Sequence, residues 1–355
     1  MRTRFHSLFI FIFLISQLSF ADGVRFGIEW TFTNKEIIAE AKKEGNYAVA
    51  LFSNTNARDK LLKKILKKCS TCTLATESNR YFDNEPKYNI QFNLETAVSI
   101  DIDPWVIEIN GHAVAKDFQK NAEFYKLIFQ SADEIGLHPH ERIGGGHIHI
   151  DFKTAFQGDE QKARNFIVDL LNHPELAMGL LSKDFLNAAP LAMLPQNQQE
   201  LFQEILTKYD AGRISFDQFI VEINEKVYQV SYDEFDPEPS KKYQAVNLTR
   251  AGSHSKARTI ELRFFRPPKS FEEFLLQIDL IERRIEFVNQ ISGRIAYIPK
   301  NFRNNFPTAN QLAKRFSEFL LEMGQDSEKF KPLLPKKISA KMGILLCHDL
   351  FKETP

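Results

Sequence analysis

The sequence predicts an α+β protein built on a largely antiparallel sheet, with helices on one face. Short alternating stretches that end at turn residues indicate strands, and some follow each other closely enough to form hairpins. Longer stretches with helical periodicity separate other strands. Because both kinds of connection occur in one chain, an antiparallel sheet is favoured over a uniformly parallel one.

Four of the predicted strands carry an unusual set of polar side chains on one face. Successive side chains of a strand alternate between its two faces, so each of these strands sets acids or imidazoles opposite an apolar row. We expect the apolar rows to pack on the core and the polar rows to line one cleft. The polar rows are Glu29 and Thr31; Glu108 and Asn110; His147, His149 and Asp151; and Thr259, Glu261 and Arg263.

Several carboxylates on one face predict a bound cation. Like charges raise each other's pKa values and destabilise the site unless positive charge lies among them. We expect oxygen ligands from Glu29, Glu108 and Glu261. His147 would add a nitrogen, and Asp101, at the end of the preceding strand, a further oxygen. A set rich in carboxylates suits Mg²⁺ or Mn²⁺ better than structural zinc.

Arg263 shares a strand face with Glu261, which indicates an anionic substrate group. An arginine beside a metal-binding acid suits phosphate, because the guanidinium donates paired hydrogen bonds to its oxygens. Arg250 and Arg258 could add to that contact. A divalent cation, several carboxylates and an arginine together indicate a nucleoside triphosphate more than a hydrolytic zinc centre.

Length and charge limit the number of domains and the classes of binding partner. The chain has 355 residues, enough for one large domain or two ordinary ones. Its 46 basic and 46 acidic residues balance, so neither a nucleic acid nor an anionic membrane is expected as a partner. The stretch 173–230 is helical in pattern and resembles an insertion more than a second domain. We expect one domain over residues 22–330 and a peripheral tail over 331–355.

Residues 1–21 predict a signal peptide. Arg2 and Arg4 make a positive start, residues 8–14 are apolar, and small residues precede a cleavage point after Ala21. The apolar run is short for a membrane span, so we expect no stable membrane insertion after cleavage. The mature chain would then be periplasmic or secreted. An uncleaved anchor is the alternative, and a cytoplasmic protein follows if the leader is misread.

The sequence contains three cysteines, Cys69, Cys72 and Cys347. In an exported protein the C-x-x-C pair Cys69 and Cys72 could close a small disulfide, which would leave Cys347 free. A second C-x-x-C or a flanking histidine would be needed for a zinc site, and the sequence has neither. We interpret the pair as structural.

Five short motifs then occur in the order found in the amidoligase family, and over about residues 24–290 the chain resembles that family. These proteins are carboxylate–amine ligases related to glutamate–cysteine ligase and glutamine synthetase. The motifs are Gly27-Ile28-Glu29, Trp105-Val106-Ile107-Glu108, Gly145-Gly146-His147-Ile148-His149, Ala245-Val246-Asn247-Leu248 and Thr259-Ile260-Glu261-Leu262-Arg263.

The resemblance implies a fold and a reaction. The fold would be a glutamine synthetase-like catalytic domain, in which a curved and largely antiparallel sheet has helices behind it. ATP would phosphorylate the carboxylate of a small molecule or peptide. An amine would then attack the acyl phosphate, which gives an amide and releases phosphate. ATP would be required, together with Mg²⁺ or Mn²⁺.

The resemblance also implies roles for individual residues. The metal ligands would be Glu29, Glu108, His147 and Glu261. Arg263 would contact the transferred phosphate beside Glu261, and Asn247 would lie near the nucleotide, where Arg250 could assist. The roles of His149 and Asp151, on the same strand face, are less defined.

Two other functions remain open at this level. The His147-x-His149 pair could belong to an exported zinc amidohydrolase. That class places the pair on an early strand of a parallel barrel and has more histidines later, whereas here only His173, His254 and His348 follow. The third possibility is a non-catalytic protein on a ligase-like scaffold, which would bind a nucleotide or metal without turnover.

Overall fold

The computed structural model describes residues 23–44, 51–78, 85–103, 105–140, 143–177, 188–228, 244–302 and 307–334. The predicted signal peptide, Cys347 and most of the expected tail lie outside these residues. Within them, no helix combines the length and apolar character that crossing a membrane requires.

The described residues form an eight-stranded sheet with the order β2-β3-β4-β5-β1-β6-β8-β7. Every pair of neighbouring strands is antiparallel. Together with the helices, this sheet gives the α+β class that the sequence predicts. The strands are β1 (Arg25–Phe32), β2 (Thr73–Ser78), β3 (Pro86–Gln91), β4 (Ala97–Asp103), β5 (Val106–Val114), β6 (Gly146–Asp151), β7 (Val246–Asn247) and β8 (Thr259–Leu262).

Helices occupy most of the remaining described chain, and side-chain caps mark the starts of two of them. The Asn34 side chain accepts from the Ile37 amide at 2.8 Å, and Ser270 accepts from the Glu273 amide at 3.2 Å. The helices are α1 (Lys35–Glu44), α2 (Leu51–Lys68), α3 (Ala115–Lys120), α4 (Ala122–Asp133), α5 (Phe152–Phe156), α6 (Glu160–Asn172), α7 (Gln196–Asp210), α8 (Phe216–Glu222), α9 (Phe271–Asn289), α10 (Ala309–Glu322) and α11 (Ser327–Phe330), with a π-helix at Ile223–Val227 and 3₁₀ turns at Pro174–Leu176, Leu191–Met193 and Lys331–Leu333.

Two local predictions were wrong. The alternating stretch 47–52 predicts a strand. Residues 47–50 lie outside the described residues, but Leu51 and Phe52 begin α2, where the Glu40 carboxylate accepts from the Phe52 amide at 3.2 Å. An acid at this point is favourable because the first amides of a helix lack internal partners. The single helix expected over 115–136 is interrupted at Asn121, whose side-chain amide donates to the Asp117 carbonyl at 2.9 Å. Asparagine competes for backbone groups in this way, which favours a break.

The apolar face of the sheet packs on helices α4 and α9. Trp30 in β1 is 1 % exposed, and its ring centroid lies 5.8 Å from Tyr125, 4.8 Å from Phe129 and 4.8 Å from Phe274. Since neighbours along a strand point to opposite faces, Glu29 and Thr31 point away from this aromatic core. The fold therefore presents the polar rows on the other face.

The cysteine pair and the chain beyond α11 also join the fold. Cys69 and Cys72 form a disulfide just after α2, as the sequence predicts for an exported protein. Leu333 is buried, and its carbonyl accepts from Arg266 Nη1 at 2.7 Å. The first residues of the segment expected to be peripheral thus contact the chain that follows β8.

Candidate metal centre and its surroundings

The strand register places the predicted polar residues side by side. Glu29 on β1 is paired with Asn110 on β5 and His147 on β6. On the other side of β6, His149 is paired with Glu261 on β8, and Glu261 in turn with Asn247 on β7. Directly paired residues share a face, so these side chains form two neighbouring rows of one polar patch, with Glu29 and His147 in one row and His149, Glu261 and Asn247 in the next.

Glu29 lies between the two histidines of β6. Its Oε2 is 2.7 Å from His147 Nδ1, and its Oε1 is 2.8 Å from His149 Nε2. Burial acts to raise the pKa of Glu29, but the hydrogen bonds and charges of the two imidazoles outweigh it and hold that pKa well below its usual range. The Glu29 contact also raises the pKa of His149, against the effect of its burial. His149, whose role the sequence left undefined, therefore orients Glu29.

Two neighbouring side chains, Arg263 and Asn247, hydrogen-bond the Glu261 carboxylate. Arg263 Nη1 donates to Oε1 at 2.6 Å, and Asn247 Nδ2 donates to Oε2 at 2.6 Å. The residue is 9 % exposed, so these contacts fix its carboxylate in a nearly closed environment. His147 Nδ1 approaches Oε1 to 3.7 Å from the opposite side.

Three of the expected ligands converge on one point. One ligand atom from each of Glu29, His147 and Glu261 lies within 4.8 Å of the others. A divalent cation of this kind lies roughly 2.0–2.6 Å from each ligand, so atoms around it are separated by no more than about twice that distance. The donor set of two carboxylates and one imidazole therefore fits a single Mg²⁺ or Mn²⁺ ion.

Glu108 and Asp101, the other two expected ligands, lie outside this group of three. Glu108 is paired with Thr31 rather than Glu29, and Asn110 Nδ2 donates to its Oε1 at 2.6 Å. Asp101 is its partner on β4 and accepts from the Ile102 amide at 2.8 Å. These two carboxylates thus form an acidic edge of the polar patch, on β4 and β5.

Burial raises the pKa of Glu108 to about 8, and the charges of Glu29 and Asp103 add to the effect. Burial also raises the pKa of Asp101. A carboxyl group with a pKa near 8 is largely protonated at neutral pH unless positive charge is brought to it. This edge of the sheet therefore favours a cation as well.

The glycines before β6 leave room for the site. Gly144 has a φ of +76°, and a Cβ there would lie 2.2 Å from Thr31 Oγ1. A Cβ on Gly145 would lie 2.2 Å from His147 Nε2. The run of glycines thus allows the backbone to pass close to the His147 ring and to β1.

Arg250, Arg258 and Asp151 lie around the candidate site and make different contacts. Arg250 is exposed, and its charge acts on His149, where it opposes protonation. Arg258 was a possible phosphate contact, but its guanidinium stacks on Phe152, 3.8 Å from the ring centroid, and pairs with Glu160 at 3.2 Å. Asp151 caps α5 by accepting from the Thr154 amide at 2.8 Å.

Two residues that the sequence did not single out contact the segment after β7. Asn224 in the π-helix donates to the Leu248 carbonyl at 3.1 Å, and Asp217 in α8 accepts from the Ser253 amide at 2.8 Å. The predicted helical insertion thus meets the site through this segment. No strand alternation marks these positions, because the contact depends on how the helices pack.

Among the described residues, the later histidines do not join the candidate metal centre. His173 bonds Glu175 at 2.8 Å, and His254 lies exposed between β7 and β8. His348 lies outside the described part of the chain. The His147–His149 pair is on a central strand of an antiparallel sheet, whereas the amidohydrolase alternative expects a parallel barrel.

Fold and site together define an α+β protein with an acid–imidazole cluster on the polar face of an antiparallel sheet. Among solved structures, the chain is similar to one described as "Apo GmaS without ligand". The sequence identity is 14%, the TM-score is 0.34, and the match covers 92% of this chain and 69% of that chain. A TM-score of this size does not establish a common fold. No protein-family model and no curated protein matches the chain.

Proposed function

We propose that this chain is an ATP-dependent carboxylate–amine ligase that uses Mg²⁺ or Mn²⁺. The main support is the convergence of Glu29, His147 and Glu261 within 4.8 Å, with Arg263 bonded to Glu261. A cation site with an adjoining arginine suits the transfer of a phosphoryl group. The order of the short motifs, which resembles that of amidoligases, favours this reaction over other uses of ATP.

Each side chain has a role that its position allows. Glu29, His147 and Glu261 would hold the cation, which when bound would neutralise phosphate charge. Arg263 would donate to phosphoryl oxygens, and its 2.6 Å bond to Glu261 limits its freedom before the substrate arrives. Asn247 would help to fix Glu261, and it lies next to the segment that carries Arg250.

The proposed reaction has two steps. An oxygen of the substrate carboxylate takes the γ-phosphoryl group of ATP, and ADP leaves. The amine nitrogen then attacks the acyl carbon, so that a C–N bond forms as the C–O bond to phosphate breaks and the amine releases a proton. The products are an amide, ADP and inorganic phosphate.

A phosphate-release assay on the purified chain from residue 22 onward tests this proposal. Given ATP, MgCl₂ and mixtures of amino acids or peptides, we expect phosphate release that depends on an added amine. Glu261→Gln should lower this activity by about 10- to 100-fold, because it weakens the cation site. Glu77→Gln, on the exposed edge strand β2, is the matched control and should retain full activity.

Three results would count against the ligase. Full activity of Glu261→Gln would remove the site assignment. Nucleotide binding without amine-dependent phosphate release would favour a non-catalytic binding protein. Tightly held zinc, found by elemental analysis without nucleotide binding, would favour the amidohydrolase.

A further inference from the structure

The helical segment Gln196–Val227 contacts the chain that links β7 to β8. We infer that Asp217 and Asn224, on this segment, are positioning residues for the β7–β8 loop (residues 248–258), which presents Arg250 to the phosphate groups of the substrate. This inference rests on the proposed function and gives the helical insertion a role in it. Four sets of contacts support it.

Asn224 fixes the start of the loop. Its side-chain amide donates to the Leu248 carbonyl at 3.1 Å, and both residues are buried. Leu248 follows Asn247, which bonds Glu261 at 2.6 Å and accepts from the Thr249 amide at 2.9 Å. A short chain of contacts therefore runs from the helical segment to a carboxylate of the metal centre.

The backbone around Asn224 is itself unusual. Asn224 lies in the π-helix Ile223–Val227, which directly continues α8. A π-turn adds a residue to the helical turn and so changes the direction of the side chains in it. Such turns are frequent at functional sites, which fits a side chain that reaches across to β7.

Asp217 fixes the middle of the loop. Its Oδ1 accepts from the Ser253 amide at 2.8 Å, and its Oδ2 accepts from the Ser253 hydroxyl. A carboxylate that receives both donors of one residue restrains its backbone as well as its side chain. Asp217 is in the first turn of α8, so the loop is joined to a regular helix.

Arg258 fixes the end of the loop. Its Nε donates to the Ala251 carbonyl at 2.8 Å, and its guanidinium lies 3.8 Å from the Phe152 ring centroid and 5.2 Å from that of Phe216. Its Nη2 pairs with Glu160 at 3.2 Å. Arg258 thus neutralises nearby acids and is not available to an anion.

Arg250 lies among these restraints with its guanidinium uncommitted. Its carbonyl accepts from the Thr259 amide at 3.0 Å, so its backbone is fixed. Within the described residues its side chain makes no hydrogen bond or ion pair, and it is exposed. Thr259, which bonds its carbonyl, lies on β8 two residues before Glu261. A cation on a restrained backbone beside a metal centre suits a di- or triphosphate.

Calorimetric titration of ATP in the presence of Mg²⁺, without an amine, tests the inference. Arg250→Ala should weaken ATP binding by about tenfold or more, since it removes a charged contact. Asp217→Ala and Asn224→Leu should each weaken it by about 3- to 10-fold, through the lost position of Arg250. Mn²⁺ affinity measured without nucleotide should stay unchanged in Asp217→Ala.

The double variant distinguishes a loss of Arg250 positioning from a general loss of stability. If Asp217 acts through Arg250, Asp217→Ala should have little further effect on ATP affinity in the Arg250→Ala background. Asp210→Ala is the matched control, because Asp210 lies in the same helical segment as Asp217 but pairs with Arg164 on α6 instead of the loop. It should lower the melting temperature and leave ATP affinity unchanged. If Asp217→Ala does not fold, Ser253→Ala replaces it.

Inorganic tripolyphosphate distinguishes failure of this inference from failure of the proposed function. Tripolyphosphate binding that depends on Arg250 and Asp217 would support the inference even if no ligase activity is found. The inference is overturned if neither anion binds the wild-type chain, if Asp217→Ala and Arg250→Ala are additive, or if Asp210→Ala weakens ATP binding equally.

Discussion

The position of His147 depends on the side chain that Gly145 lacks. A Cβ at residue 145 would lie 2.2 Å from His147 Nε2 and 2.6 Å from its Cδ2. The opposite ring nitrogen, Nδ1, faces Glu29 at 2.7 Å. The ring is therefore confined between a carboxylate and the backbone of the glycine run, and a methyl group at residue 145 would push it towards Glu29.

We predict that Gly145→Ala weakens Mn²⁺ binding by about 10- to 100-fold, the range typical for changes that disturb a ligand's support. Gly293→Ala is the matched control, since a Cβ there meets nothing within 4 Å. Isothermal titration with Mn²⁺ on both variants checks the prediction. Equal affinities for wild type and Gly145→Ala would show that the ring does not have to stay in this position.

Local strand geometry determines which site residues can be predicted from the sequence. Glu29, His147 and Glu261 were found because strand alternation alone assigns a face to each residue. The pairing register between strands could not be predicted from the sequence in the same way. The register places Glu108 opposite Thr31, one row away from Glu29, and a shift of two residues would have brought the acids together.

At the scale of the elements, Arg284 on α9 is buried and joins α9 to α6 and α10 through an ion cluster. It bonds Asp169 on α6 through Nε at 2.6 Å and Glu322 on α10 through Nη2 at 2.7 Å. Its Nη2 is also 3.0 Å from Nε2 of His173, which follows α6. Asp169, His173 and Glu322 lie close enough to hold an ion, but Arg284 already supplies the positive charge. We therefore interpret the cluster as structural.

The same cluster sets the charge state of Glu322. Burial acts to raise its pKa, but hydrogen bonds from His173 and Arg284 outweigh that effect and lower the pKa to about 2. Glu322 is thus charged at neutral pH. Removing Arg284 would leave the buried Asp169 carboxylate without its guanidinium partner.

We predict that Arg284→Met lowers the free energy of unfolding by about 3–5 kcal/mol, the cost of breaking a buried ion pair from one side. Arg283→Met is the adjacent control. Arg283 is partly exposed and pairs with Asp279 four residues earlier, so its loss should cost less than about 1 kcal/mol. Urea unfolding of both variants measures the difference. Similar losses for the two would mean that the buried cluster contributes no more than a surface pair.

Element ends were predictable where a cap is local to the sequence. Asn34, Ser270 and Thr308 each precede a helix and accept from one of its first amides, as capping residues do. The start of α2 was not predictable, because its first amides are met by Glu40 from the preceding helix. The π-helix was also missed, since its residues continue an ordinary helical pattern.

At the scale of the whole molecule, two asparagines of α6 hold an extended segment against the helices. Asn165 donates to the Gly293 carbonyl at 2.7 Å and accepts from the Ile295 amide at 3.1 Å. Asn172 donates to the Ala296 carbonyl at 2.9 Å and accepts from the Ile298 amide at 2.8 Å. The amide side chains thus satisfy a stretch of backbone that belongs to no strand or helix.

The helical segment Gln196–Val227 is joined to the rest through similar contacts. Arg164 on α6 pairs with Asp210 at the end of α7 at 2.6 Å and also donates to the Ile295 carbonyl. Asn224 bonds Leu248 next to β7, and Phe216 packs on Phe152 with ring centroids 5.6 Å apart. Contacts on several sides favour one folding unit over a separate helical domain.

We therefore predict that sheet and helices unfold together. The two tryptophans of the chain, Trp30 and Trp105, lie in β1 and immediately before β5, so their fluorescence reports on the sheet. Far-UV circular dichroism reports mainly on the helices, including Gln196–Val227. In urea the two signals should give the same midpoint and the same slope, as expected for a single cooperative transition.

The Arg164→Leu variant sharpens this test. It removes the contacts of Arg164 with Asp210 and Ile295, so it weakens the attachment of the helical segment without touching the sheet core. If the molecule is one unit, both midpoints should fall together, because the lost free energy is shared by the whole transition. If the helical segment is a domain of its own, ellipticity would be lost at a lower urea concentration than fluorescence, and the gap would widen in the variant. That result would replace the single-domain prediction by a two-domain description.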